Sequence, residues 1–443
     1  SLIQPCWNGN ESASWSASAA NWLVDAAPSG SRDGDDVMFN DLAANFTVNV
    51  TDPVVQPGSV TFDHSYYDYT LAGGGSVVGA TGLMKRGLGT LTIRNTNTFT
   101  GPTLVEAGTL TIASAGAVGA SPVTVASGAT LAIAPGTTMR APLVRLSSGT
   151  LSAASIAVRA GTGITRLAIE GGNLTDELAV SIGAGGRLEL PDRPRLSLVL
   201  GGLTIDGAAG GLLDLGAGEV TIGVGGATAA GLRQALIAGR NGGTWDGTSG
   251  IVSAAVVAAG GTRTIGYVAA ADGSARISYA APGDVNLNGQ VDVFDLVSVN
   301  AGGRYGTGQA AVWTEGDINY DGVTNVFDLV EVNAGGAYGA GDYLPATVSM
   351  SSLPAGAAVV PEPGLGLAVA VGAVAGAIAI SLRDAHRRLA IARARLPGRE
   401  RPGKNLPGFF SRVRPVEQPR FSTVGSPPAL RGGNFFSLRS SDA

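Results

Sequence analysis

From about residue 75 to residue 224, apolar side chains fall on every second position, in runs such as GTLTIRNTNTFTGPTLVEAGTLTIASAG, SPVTVASGATLAIAPG and RLAIEGGNLTDELAVSIGAGGRLEL. A period of two marks strands with one buried face, and the Gly, Asn and Pro that interrupt it mark turns. The unit Gly-Thr-Leu, followed by further alternation, recurs at 89–91, 108–110 and 149–151, with Gly-Ala-Thr-Leu at 128–131. The intervals from Leu to Leu are 19, 21 and 20 residues. A repeat of that length is one coil of a parallel β-helix, with glycine at the corner and Leu or Ile pointing inward. The pattern therefore predicts coils stacked at ~4.8 Å, with Leu91, Ile93, Leu110, Ile112, Leu131 and Ile133 inside.

The flanks of this region read differently. Residues 1–75 carry Trp7, Trp15, Trp22, Phe39, Phe46, Phe62, Tyr66, Tyr67 and Tyr69. An open solenoid end exposes an unpaired strand edge, so these aromatics predict a cap and the first coils; an aromatic sugar-binding platform is the rival reading. The repeat proper covers 76–225. Residues 226–281 predict a closing cap, with one short helix at 229–239 and a turn-rich loop around Trp245. That segment resembles the one preceding dockerin-like modules in surface proteins of planctomycete-type bacteria.

Composition narrows the chemistry. With one cysteine, Cys6, there is no internal disulfide framework and no cysteine-based zinc site. With two histidines, His64 and His386, histidine-dependent catalysis has almost nothing to draw on. Residues 383–443 hold 13 basic and 4 acidic side chains, leaving 16 and 30 for the rest. That split points to a membrane or polyanion contact at the basic end. The chain opens at Ser1 without a charged-then-apolar leader, and the expectation is that a signal peptide has been removed or trimmed.

Residues 83–112, LMKRGLGTLTIRNTNTFTGPTLVEAGTLTI, resemble the autotransporter-associated β-strand repeat, with Gly-Thr-Leu, Asn-Thr-Phe-Thr-Gly and a second Gly-Thr-Leu in family order. The resemblance implies a passenger-type β-helix; it does not imply catalysis.

Two near-copies follow, DVNLNGQVDVFDLVSVNAGGRYG from Asp284 and DINYDGVTNVFDLVEVNAGGAYG from Asp317, starting 33 residues apart and agreeing at 15 of 23 positions. Calcium takes six to eight oxygens, which a short loop supplies from alternate residues. The candidate ligands are Asp284, Asn286, Asn288, Asp292 (through water) and Asp295 in the first loop, with Asp317, Asn319, Asp321, Asn325 and Asp328 in the second. Gln290 and Val323 would add backbone carbonyls. Gly289 and Gly322 sit sixth, where the loop turns sharply. Two calcium ions are therefore expected, and Asn288 and Asn325, standing where carboxylates are usual, lower the expected affinity.

Aspartate at the twelfth position and a VFDLV helix after each loop resemble a type I dockerin over 282–345. The resemblance implies a cohesin-like partner, met by faces beginning at Val293, Phe294, Val326 and Phe327. Packing of Phe294 and Phe327 between the two helices is the competing reading.

The C-terminal region resembles a PEP-CTERM sorting signal. A linker at 346–363 ends in Pro361-Glu362-Pro363, residues 364–382 are uncharged, and Arg383, Arg387 and Arg388 follow. Nineteen residues make ~28 Å of helix, enough for a hydrocarbon core of ~30 Å. The arginines put that end on the cytoplasmic side of the inner membrane. Two outcomes stay open, a sorting helix removed after export and a permanent anchor. The basic segment 383–443 lacks periodicity and is expected to be disordered.

The expected fold is mainly β: a parallel β-helix (solenoid), a small α-helical calcium-binding module and one C-terminal transmembrane helix. The expected role is non-catalytic, that of a secreted or cell-surface scaffold, with exopolysaccharide or the cell envelope as further partners and no nucleic acid. A polysaccharide-active β-helix enzyme and a glycan-binding adhesin are the alternatives. The carboxylates along the coils, Glu106, Glu170, Glu189 and Asp206, are scattered singles.

Overall fold

Every coil returns to the same parallel sheet. Asp36–Asn40, Ser59–Asp63, Gly82–Arg86, Thr103–Val105, Val123–Val125, Ala141–Ser152, Ile164–Leu174, Arg187–Glu189 and Leu212–Asp214 lie side by side in that order, a solenoid of about eight turns. The computed structural model describes residues 4–344, apart from 176, 193 and 194, together with the backbone of the strand Thr347–Ser349. The Pro-Glu-Pro stretch, the expected spanning segment 364–382 and the basic segment 383–443 lie outside the described residues. Among the described residues no helix is long and apolar enough to cross a membrane.

The alternation seen in the sequence becomes columns of stacked side chains. Leu91, Leu110, Leu131, Leu151 and Leu174 are in register, as are Ile93, Ile112 and Ile133, and all are buried. Six of these were expected inside from the sequence. Burying one Leu or Ile side chain contributes roughly 1.5–3 kcal/mol, and in a column each also packs on the next coil. Corners follow from close stacking: at Gly108 φ is +65° and a Cβ would lie 2.5 Å from the carbonyl oxygens of both Gly87 and Gly89.

Polar side chains also enter the core. Within NTNTFTG, Asn97 accepts from the Val77 amide at 2.9 Å on one neighbouring coil and donates to the Ala117 carbonyl at 2.6 Å on the other. Lys85 occupies the inward column Phe39–Phe62–Lys85–Val105–Val125–Leu146–Ile169. It is fully buried, and its Nζ donates to the carbonyls of Arg86 at 2.6 Å and Gly87 at 2.8 Å.

Both ends of the solenoid are covered. At the first coil, Cys6–Trp7 and Ala27–Ser29 flank Trp22–Val24 in antiparallel pairing. Trp7, Trp15, Trp22, Phe39, Phe62 and Tyr69 pack ring on ring inside, Phe39 and Phe62 stacked at 4.2 Å. These rings are core, so a sugar platform built on them is closed off; Tyr66 and Tyr67 alone among the nine lie largely exposed. At the other end, helix α1 (Ala229–Arg240) starts at Thr228, whose hydroxyl accepts from the Gly231 amide. Helix α2 (Ala254–Ala258) is capped in the same way by Ser253. Ala275–Ala280 then lies antiparallel on Glu219–Ile222 and pairs with Thr264–Ala269.

Candidate metal centre

Each of the two near-copies forms a loop followed by a helix, α3 (Val293–Gly302) after the first and α4 (Val326–Gly335) after the second. The helix starts are specified locally. Asp292 and Asn325 are the N-caps, accepting from the amides of Phe294 and Phe327 at 2.8 Å. Asp295 and Asp328 complete the capping boxes. Both ninth-position candidates, Asp292 (expected to act through water) and Asn325, thus stand at the helix entrances.

Loop curvature comes from side-chain oxygens that accept backbone amides two residues ahead. Asn286 takes the Asn288 amide and Asn288 the Gln290 amide, both at 2.9 Å. In the second loop Asn319 takes Asp321 at 2.8 Å and Asp321 takes Val323 at 3.0 Å. Each such oxygen keeps a lone pair in reserve. The first and twelfth carboxylates converge across each loop. Asp284 accepts from the amides of Asn288 at 3.0 Å and Gly289 at 2.9 Å, while Asp295 accepts from Val285 at 3.1 Å. Asp317 takes the Gly322 amide at 3.2 Å, and Asp328 takes Ile318 at 2.8 Å. Gly289 and Gly322, with φ of +94° and +98°, make the sharp turns expected at the sixth position.

All four of these aspartates are buried, and burial pushes each carboxyl above the usual carboxylate range. Buried anions facing each other across a loop of oxygen donors fit a hard divalent cation, which would offset their desolvation. Among the described residues no three His, Cys, Asp or Glu side chains gather into a metal cluster. A cation here would draw on Asn amide oxygens and the carbonyls of Gln290 and Val323 besides the paired carboxylates.

Four contributors escaped the sequence reading. Tyr343 Oη donates to Asp284 Oδ2 at 2.6 Å, and Arg233 on α1 donates to Asp317 Oδ2 at 2.7 Å. Leu287 and Tyr320, fourth in each loop, both take left-handed φ (+57° and +63°) and bury their side chains. Only the last pair had a signal, an apolar body at the same offset in both copies.

The outer faces of α3 and α4 are apolar and exposed. Val293, Phe294, Leu296 and Val297 match Val326, Phe327, Leu329 and Val330 residue for residue. Phe294 is 67% exposed and Phe327 66%, so neither packs one helix against the other.

Comparison with known proteins bears on the solenoid. Residues 83–112 match the Passenger-associated-transport-repeat family. Over 87 residues the chain is 38% identical to Adhesin BmaC autotransporter of Brucella suis biovar 1 (strain 1330), covering 19% of this chain and 2% of that protein. No solved structure matches. The chain carries a passenger-type repeat. The family match ends at residue 112, well before the paired loops, and the chain spans only a small part of the adhesin's length.

Proposed function

We propose that this protein is a non-catalytic cell-surface scaffold: a passenger-type solenoid carrying a dockerin-like pair of calcium loops that presents two matching apolar helix faces to a cohesin-like partner. The observation that carries this reading is the exposed set Val293, Phe294, Leu296 and Val297, repeated on α4. Four large apolar side chains held out in water on each of two short helices cost free energy unless something covers them. Two calcium ions, one per loop, would fix the helices that display them. Sorting by a Pro-Glu-Pro signal, with the spanning helix removed or retained, would hold the protein at the envelope.

Support for a non-catalytic solenoid comes from its surface carboxylates. Glu106 pairs with Arg86 and Glu170 with Arg145, each at 2.7 Å, and Glu189 bridges Arg166 and Arg187. Asp206 accepts an amide in its own turn. Carboxylates bound coil to coil by arginine are not poised as an acid and base pair.

The test is binding of recombinant type I cohesin modules to the full chain in calcium. Phe294→Asp with Phe327→Asp should weaken binding at least tenfold while leaving the circular dichroism spectrum unchanged. Equal binding by the double variant would refute the role of the helix faces. The likeness to an adhesin favours a second reading, attachment to glycans or other cells; glycan-array binding that survives the double variant would favour it.

A further inference from the structure

The two loops do not hang beside the solenoid; they share its core. Trp313, at the turn between the two copies, is 1% exposed and its Nε1 donates to the Asp284 carbonyl at 3.1 Å. Tyr320, in the second loop, packs against Trp245 and Tyr267 of the solenoid's end cap, with ring centroids 5.7 and 6.0 Å apart. Its Oη donates to the Ile265 carbonyl at 2.7 Å. Leu287 is buried beside Gly266, where an added Cβ would lie 2.6 Å from Leu287 Cδ2 and 2.7 Å from Trp313 Cε2. Arg276, on the strand that closes the last coil, donates to the Leu287 carbonyl. From α1, Arg233 reaches Asp317 and, at 3.3 Å, the Tyr320 carbonyl, and Arg240 pairs with Glu331 on α4.

The residues that make these contacts are placed by loop conformation. Leu287 and Tyr320 occupy the fourth position of their loops, in a left-handed backbone that residues other than Gly, Asn and Asp seldom adopt. Each is flanked by candidate ligands, Asn286 and Asn288 in one case, Asn319 and Asp321 in the other. A cation that holds the flanking oxygens holds the fourth residue in the conformation that aims it at the cap. Without it, the left-handed residue is free to relax and the anchor with it.

We infer that the paired loops are a calcium-dependent clamp on the C-terminal end of the solenoid, so that calcium decides whether the last coils are closed or frayed. The inference rests on the calcium reading above and goes beyond it, because it makes metal binding govern the order of strands that contain no candidate ligand.

Hydrogen exchange on the full chain, in calcium and in chelator, tests it, with calorimetry run in parallel to count ions bound. At free calcium a hundredfold above its dissociation constant, a linked strand exchanges up to about 100-fold more slowly for each ion bound. The expected result is slowing at 219–222, 264–269 and 275–280, with no change at 90–133. Gly266→Ala, which forces Leu287 and Trp313 away without touching a loop, should still bind two ions yet lose the slowing. Tyr320→Phe, a milder change, should reduce it. Two ions bound with exchange at 264–280 unaltered would overturn the clamp and leave the calcium site standing. Equal slowing over 90–133 would also overturn it, since that marks a global effect, and no binding at all would remove both.

Discussion

Lys85 puts a charged group where the column on either side holds Phe62 and Val105, and its energetic signature is calculable. Burial pushes its pKa down to about 8 from 10.5, against the pull of Asp63, Asp68 and Asp41. In the unfolded chain the amine keeps its proton to about pH 10.4. Between the two values the unfolded state binds more protons than the folded one, so stability rises with pH. The destabilisation is complete below about pH 7 and gone above about pH 10.5. The drop from 10.5 to about 8 corresponds to about 3 kcal/mol at most, of which about 2 kcal/mol falls between pH 7.5 and 9.5. Lys85→Met keeps the length of the side chain and removes the titration. Urea unfolding of both proteins at half-unit steps should show the wild type gaining about 2 kcal/mol on the variant across that window. Staying below pH 9.5 avoids the tyrosines, which ionise near 10 in the unfolded chain. A constant difference would refute the reasoning and mean that the carbonyls of Arg86 and Gly87 solvate the ammonium well enough to keep it charged.

Leu110→Ala should cost about 2–5 kcal/mol by chemical denaturation, because the side chain sits mid-column with a coil on each side and the gap cannot collapse; a loss below 1 kcal/mol would argue against tight stacking. Asp284→Ala and Asp317→Ala should each remove one of two calcium ions in calorimetry and lower the calcium-dependent rise in melting temperature, whereas an unchanged melting curve in chelator and in calcium would count against both sites. If the C-terminal segment is a sorting signal, mass spectrometry of surface-exposed protein should find no peptides from residues 405–439; recovering them intact would refute processing.

The sequence was most informative where a fixed offset carries the physics. Leu91, Leu110 and Leu131 could be placed inside because alternation and a 20-residue period leave them no other phase. The paired loops could be placed because Asp284 and Asp295 must stand eleven residues apart to meet across a turn. Lys85 shows the limit: it lies on the inward phase of Leu83, but nothing local shows that backbone carbonyls will receive its ammonium. Arg233 and Tyr343 were illegible for a different reason. They reach Asp317 and Asp284 from 84 and 59 residues away, and such meetings are set by how the end cap folds over the last coil. The exposure of Phe294 and Phe327 likewise depends on which face of each helix the loop turns outward.

The stacked column of strands also fixes how far the molecule can reach. Eight turns at ~4.8 Å each carry the chain about 38 Å along the solenoid axis, and about 22 residues are wound into every step. A fully extended strand would cover the same distance with about a dozen residues. What the winding gives in exchange is a reach that changes only by whole coils. An extra residue at a corner alters the girth and leaves the height untouched, whereas a duplicated coil lengthens the rod by one strand spacing and leaves both ends as they were. A protein built this way can vary the distance between its two ends in increments of ~4.8 Å without redesigning either of them.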